Sequence, residues 1–218
     1  MPLPYRRALQ VGLVLAATAV ATEGVTRSGI SKLPHAANVE RSLLAVGAFS
    51  SIADVNERSR ALFKEAAKVI TDPRCMNCHP SSRQPTQGDD MRPHIPFMQA
   101  GLSGIGVDGM TCNTCHRAEN TVILGSRIGS VPGNSHWMLA PASMGWQDRS
   151  LGDICRQIKD PVRNGGRSLA QIRTHMAEDH LVGWAWHPGA GRRPAPGTQA
   201  EFADLISAWI ETGAACPE

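Results

Sequence analysis

A mainly helical fold with long irregular loops is what this sequence predicts, on three observations. Apolar residues recur at helical spacing in four stretches, each opened by a Ser or Thr able to cap a helix. Residues 80–133, between the first and second of these stretches, are rich in Pro, Gly, Asp and Asn and keep no sustained period. Aromatic residues make up only 5% of the 218, while Gly and Pro number 21 and 15. A loop-rich chain with so few large rings needs another source of buried apolar surface. Its length suits one domain with a tail, or at most two small ones.

Taken in order, the chain opens on Arg6 and Arg7, an apolar run over residues 11–17 and Ala19-Val20-Ala21 before Thr22. This is the pattern of a cleavable signal peptide over residues 1–21. An uncleaved anchor is the rival reading, but the run falls short of the ~20 apolar residues a spanning helix needs. The mature chain is therefore expected to be exported to the periplasm and soluble, with no stable membrane insertion. Losing the two arginines takes the formal charge from +3 to +1, and without a clustered basic face nucleic acid is not an expected partner.

Residues 22–50 read as an extended or poorly ordered lead-in, with residues 51–218 as the folded domain. A helix is expected over residues 51–70, with Ser51 and Asp54 as its capping pair and Leu62, Phe63, Ala66, Ala67 and Ile70 on one stripe. Asp72-Pro73 ends it. In the last third, Ser150 precedes a helix carrying Leu151, Ile154, Cys155 and Ile158. Ser168 and Gln171 form a capping box before Leu169, Ile172 and Met176. Thr198 and Glu201 form another before Phe202, Leu205, Ile206, Trp209 and Ile210, and Gly213 stops that helix. Residues 188–197 must be a loop.

The chemistry lies in Cys75-Met76-Asn77-Cys78-His79 and Cys112-Asn113-Thr114-Cys115-His116, two copies of C-x-x-C-H. Thiols three positions apart on a helical turn can form thioethers to the two vinyl groups on one edge of a haem. The adjacent His then meets the iron. A four-cysteine zinc site uses similar pairs but gives no reason for a His after both. A thioredoxin-like motif would sit at a strand-to-helix junction and would not occur twice in a loop-rich region. Two covalent haem c groups, attached through Cys75, Cys78, Cys112 and Cys115 and ligated by His79 and His116, are the expected cofactors. They would supply the apolar surface the chain lacks and organise a stretch too long for an ordinary loop. Cys155 and Cys216 remain, and in an oxidising compartment they are expected to pair.

The sixth ligand on each iron separates an electron carrier from a gas-binding or catalytic haem. His94, stiffened between Pro93 and Pro96, is the first candidate. The helix after Ser168 is expected to carry both His175 and His180, of which helical geometry alone favours His180. Met144 is a third choice.

With these residues in hand, the chain resembles a bacterial family labelled "isoquinoline 1-oxidoreductase subunit". The likeness runs through Cys75 to Pro80, Gly88-Asp89, Pro93-His94, the second cysteine motif, and Trp137-Met138-Leu139-Ala140-Pro141. It continues through residues 154–161, residues 163–169, Trp184-Ala185-Trp186, residues 188–199 and residues 213–217. The resemblance implies a cytochrome c-like dihaem protein that accompanies molybdenum hydroxylases. The family pattern keeps His94, Met144 and His175 rather than His180, which implies His175 as the second distal ligand, against the helical wheel. The chain has no iron–sulfur cysteine pattern and no molybdopterin site, so it would accept electrons rather than hydroxylate a substrate.

The function expected is periplasmic electron transfer between redox protein partners, with a dehydrogenase or molybdenum hydroxylase as donor and membership of such a complex as its setting. Two rivals are a peroxidase-like dihaem enzyme and a gas-binding sensor. Each would need one open iron position.

Overall fold

Asp54 opens the first helix by accepting a hydrogen bond from the Glu57 N–H, so α1 runs Val55–Ile70. The expected start at residue 51 is therefore four residues early: Asp54 is itself the cap, not the third residue of a box begun by Ser51. The structure, a computed structural model, describes residues 41–122 and 130–218. The signal peptide expected over 1–21 and the first part of the lead-in lie outside the described residues.

Two residues after α1, Asp72 accepts from the Arg74 N–H and Pro73 takes the first helical position of α2, Pro73–Met76. In the last third, α3 spans Leu151–Lys159 behind Ser150, and α4 spans Leu169–Glu178 behind the Ser168–Gln171 capping box. A four-residue α5, His180–Gly183, follows, and α6 covers Gln199–Glu211 behind the Thr198–Glu201 box. Asp179 divides α4 from α5. Its backbone is extended (φ −68°, ψ 127°), and its carboxylate accepts from the N–H groups of Leu181 and Val182. The chain is thus re-capped where one continuous helix was expected, and His180 is carried off the face of α4.

The described chain is mainly helical, with the core where α1, α4 and α6 meet. Phe63 of α1 packs on Trp209 of α6 with ring centroids 5.0 Å apart. Ser59, fully buried, donates to the Trp209 carbonyl at 3.2 Å and accepts from the Ala215 N–H at 2.9 Å. Cys155 and Cys216 form a disulfide across a sequence separation of 61 residues, as expected, tying α3 to the chain beyond α6.

Residues 41–50 differ from the extended lead-in expected of them. They form a short 3-10 turn, Val46–Phe49, and Leu43 and Phe49 join the core. Arg41 pairs with Asp72 at 3.2 Å, and Glu65 accepts from the Leu44 N–H at 2.8 Å. Two apolar anchors and two charged ones hold this segment down where composition alone suggested a loose strand.

The stretch after α2 is irregular, as expected, apart from two small antiparallel ladders. Strand β1, Thr86–Gln87, pairs with β2, Arg92–Pro93, and β3, Gly106–Val107, pairs with β4, Met110–Thr111. Among the described residues no helix is long and apolar enough to cross a membrane.

Candidate functional site

The first C-x-x-C-H motif rides on α2. The Cys78 N–H donates to the Cys75 carbonyl and the His79 N–H to that of Met76, continuing the helical turn that brings both thiols to one side. His79 is then held from three directions. Its Nδ1 lies 2.7 Å from the Met144 carbonyl, its own carbonyl accepts from the Trp146 N–H at 2.8 Å, and the Trp146 ring stacks on its face with centroids 3.4 Å apart and planes within 6°. A carbonyl only accepts, so Nδ1 carries the proton and the Nε2 lone pair is free. Burial pushes the His79 pKa down to about 4 against the pull of the Met144 carbonyl, and the neighbouring His175 lowers it further. The ring is neutral at pH 7.

The second motif repeats this arrangement on a 3-10 turn, Cys112–Thr114. The N–H groups of Cys115 and His116 both donate to the Cys112 carbonyl. His116 places Nδ1 2.6 Å from the Pro132 carbonyl, and Trp137 stacks on its ring at 4.4 Å with planes within 6°. Burial, then the charges of His94 and Arg192, bring its pKa to about 4. The carbonyl that orients His116 is held by a close crossing of two backbones. Thr121 and Val131 bridge, and Asn120 Oδ1 accepts from the Gly133 N–H at 2.7 Å. A Cβ on Gly133 would fall 1.9 Å from the Glu119 carbonyl carbon, so only glycine fits there.

Two further histidines face this pair. His94 has Nδ1 2.7 Å from the Pro96 carbonyl, and its ring centroid lies 6.0 Å from that of His116, with planes 50° apart. Metal–imidazole bonds of about 2 Å put two rings on opposite sides of one metal with centroids about 6 Å apart, which is the separation found. His175, half-buried on α4, sets Nδ1 3.2 Å from Asp179 Oδ2. Burial lowers its pKa against the pull of Asp179. His180 opens α5 and is exposed. Met144 is buried in the core cluster, and it is its carbonyl that meets His79.

Cys78, Cys112, Cys115, His94, His116 and Trp137 line a cavity of about 550 Å³, within the usual range for a cofactor site. Cys75 packs instead against the hydrophobic core, and Cys75, His79 and His175 stand outside the cavity lining. The two motifs are joined by one strip of chain: the Leu139 N–H donates to the Gly104 carbonyl and the Ala140 N–H to that of Cys78. The four motif thiols are unpaired. Burial raises Cys75 well above the ordinary thiol range and Cys78 to about 11, so they are not poised as thiolates. Among the described residues, no three His, Cys, Asp or Glu side chains converge to hold a bare metal ion. What the arrangement presents is pairs of thiols on helical turns, beside neutral imidazoles with Nε2 free.

Trp184-Ala185-Trp186 splits between the two environments. Trp184 lines the cavity and meets Trp137 edge-on at 5.3 Å, while Trp186 lies in the core with Nε1 donating to the Pro196 carbonyl. Sequence reasoning missed Trp137 and Trp146 as stacking partners and the Met144 and Pro132 carbonyls as tethers. Nothing in local spacing marks them. Asp179 was legible, since it follows His175 at helical i,i+4 spacing. A comparison with known proteins finds no matching family model, no matching curated protein and no matching solved structure.

Proposed function

We propose that this chain is a dihaem c-type electron-transfer protein, with haem thioethers at Cys75 and Cys78 and at Cys112 and Cys115. The observation that carries the reading is shared by the two motif histidines: His79 and His116 each hold Nδ1 on a backbone carbonyl distant in sequence, that of Met144 or Pro132, under a stacked Trp ring. That fixes the tautomer and aims Nε2 outward, as in histidines that serve as metal ligands. His79 and His116 would hold the irons as the motif histidines, His94 would be the second ligand beside His116, and His175 that beside His79. Each haem, when bound, supplies one-electron chemistry at its iron. The protein's part would be to keep imidazole nitrogens ready for each iron, with Trp146 and Trp137 pinning the rings of His79 and His116. Raised thiol pKa values weigh against a thioredoxin-like reading, because a redox-active C-x-x-C depends on a lowered one.

The likeness to the "isoquinoline 1-oxidoreductase subunit" family supports a periplasmic setting and a dehydrogenase or molybdenum hydroxylase as electron donor. The test is expression of the full chain with c-type maturation machinery, followed by spectra with and without carbon monoxide. Two haems per chain with sharp reduced bands indifferent to carbon monoxide are expected. A carbon monoxide shift on one haem would replace the carrier with an open-site enzyme or sensor.

A further inference from the structure

One cation lining the cavity beside His116 has no ion-pair partner among the described residues. Arg192, half-buried in the loop between α5 and α6, lines the cavity and is close enough to His116 to lower its pKa. Among the described residues no carboxylate lies within ion-pair distance of its guanidinium. The nearby Asp89 is engaged by both Arg74 and Arg193. Burial, then the Arg74 charge, holds Arg192 below the ordinary guanidinium range.

Three of its five N–H donors are used. Nη1 donates to Ser130 Oγ at 2.6 Å and to the Pro188 carbonyl at 3.2 Å, and Nη2 donates to the Ser130 carbonyl. These bonds lock the guanidinium in place and leave the Nε–H and one Nη2–H without a partner. By guanidinium geometry the two share an edge, the one that grips a carboxylate with two parallel hydrogen bonds. A second orphan lies in the same lining: Gln87 Nε2 is buried with no acceptor. Buried donors in folded proteins have partners, so the enclosed Gln87 amide points to a ligand that brings an oxygen acceptor, and the free edge of Arg192 belongs to the same cavity lining.

We propose that Arg192 is the carboxylate-binding residue of this cavity, its free edge holding a propionate of the haem ligated by His116, with Gln87 as a further donor to the bound group. This rests on the dihaem reading above. The Arg192 charge then favours the reduced iron and raises the potential of that haem over its neighbour's.

The test uses the mature full-length protein. In the unsubstituted protein, the propionate bending mode of one haem in resonance Raman shifts on exchange into deuterated water. In Arg192→Gln that exchange shift shrinks, and at a fixed solution poise the oxidised-to-reduced ratio of one haem rises about tenfold, a fall of ~59 mV for one electron. Arg192→Lys keeps the charge without the paired donors, so it retains most of the potential while the exchange shift is smaller than in the unsubstituted protein. Where Arg192→Gln does not accumulate, the propionate mode of the unsubstituted protein decides. Two attached haems with propionate modes indifferent to exchange, or an Arg192→Gln potential unchanged, overturn this inference alone. A mature chain carrying no covalent haem overturns the dihaem reading with it.

Discussion

A histidine that is buried and neutral ties stability to pH in one direction. His79 and His116 have folded pKa values of about 4 against 6.5 for the free side chain. Between those values the unfolded chain takes up protons that the folded chain refuses. Stability is therefore full above about pH 6.5 and lost as pH falls toward 4. At ~1.4 kcal/mol per unit, His79 alone accounts for about 3 kcal/mol. Iron on Nε2 acts in the same direction, because it excludes the proton. Urea unfolding of the mature protein from pH 8 to pH 4 should show the midpoint flat above 6.5 and falling below; a midpoint that rises on acidification would contradict the buried neutral rings. The distal pair is separable residue by residue. His94→Ala and His175→Ala should each make one haem of the two bind carbon monoxide, whereas His180→Ala, at an exposed position, should leave the spectrum unchanged. Carbon monoxide binding in the His180 variant alone would reassign the ligand. Ser59 gives a purely structural contrast: Ser59→Ala removes a buried hydroxyl that bonds both the Trp209 carbonyl and the half-buried Ala215 N–H, and should cost about 1–3 kcal/mol in chemical denaturation with both haem spectra intact.

Among the elements, the helices owe their ends to single side chains and their arrangement to long-range ties. Ser150, Ser168 and Thr198 each cap where expected, because a cap is decided by residues three apart in sequence. Asp179 acts both ways: it ends α4 and starts α5, so His175 keeps the inward face of α4 while His180 turns to solvent. The disulfide closes a loop of about 60 residues, a constraint worth about 4 kcal/mol through the entropy of the unfolded chain. Replacing both Cys155 and Cys216 by Ala should lower stability by about that amount and leave two haems attached. A variant as stable as its parent would mean the α3–α6 packing suffices without the bond.

Across the whole molecule two regimes coexist. The helices α1, α3, α4 and α6 bury a core of their own, with Phe63, Ile154, Ile206 and Trp209 fully enclosed. Among the described residues of the stretch 80–140, regular structure amounts to two two-residue ladders, the Thr121–Val131 bridge and short turns, and residues from this stretch line a cavity. If the cofactor held at His116 fills that cavity, a chain with Cys75, Cys78, Cys112 and Cys115 all replaced by Ala should keep its helical core and become protease-sensitive across residues 80–140. Cleavage spread evenly along the chain would instead mean that the core itself depends on haem.

The sequence by itself determined what is local: the two C-x-x-C-H turns, the helix caps, the loop over residues 188–197, and, by elimination among six cysteines, the disulfide. Each is set by residue identity within a few positions or by covalent chemistry. Tertiary structure alone decided which surroundings each histidine meets. The Met144 carbonyl lies 65 residues from His79 and the Pro132 carbonyl 16 from His116. His94 faces His116, and Arg192 reaches the wall of the same cavity. These meetings depend on the path of irregular chain, whose turns are set by glycines such as Gly133 and by backbone hydrogen bonds. An aperiodic path of that kind leaves no repeating signature in the amino-acid order.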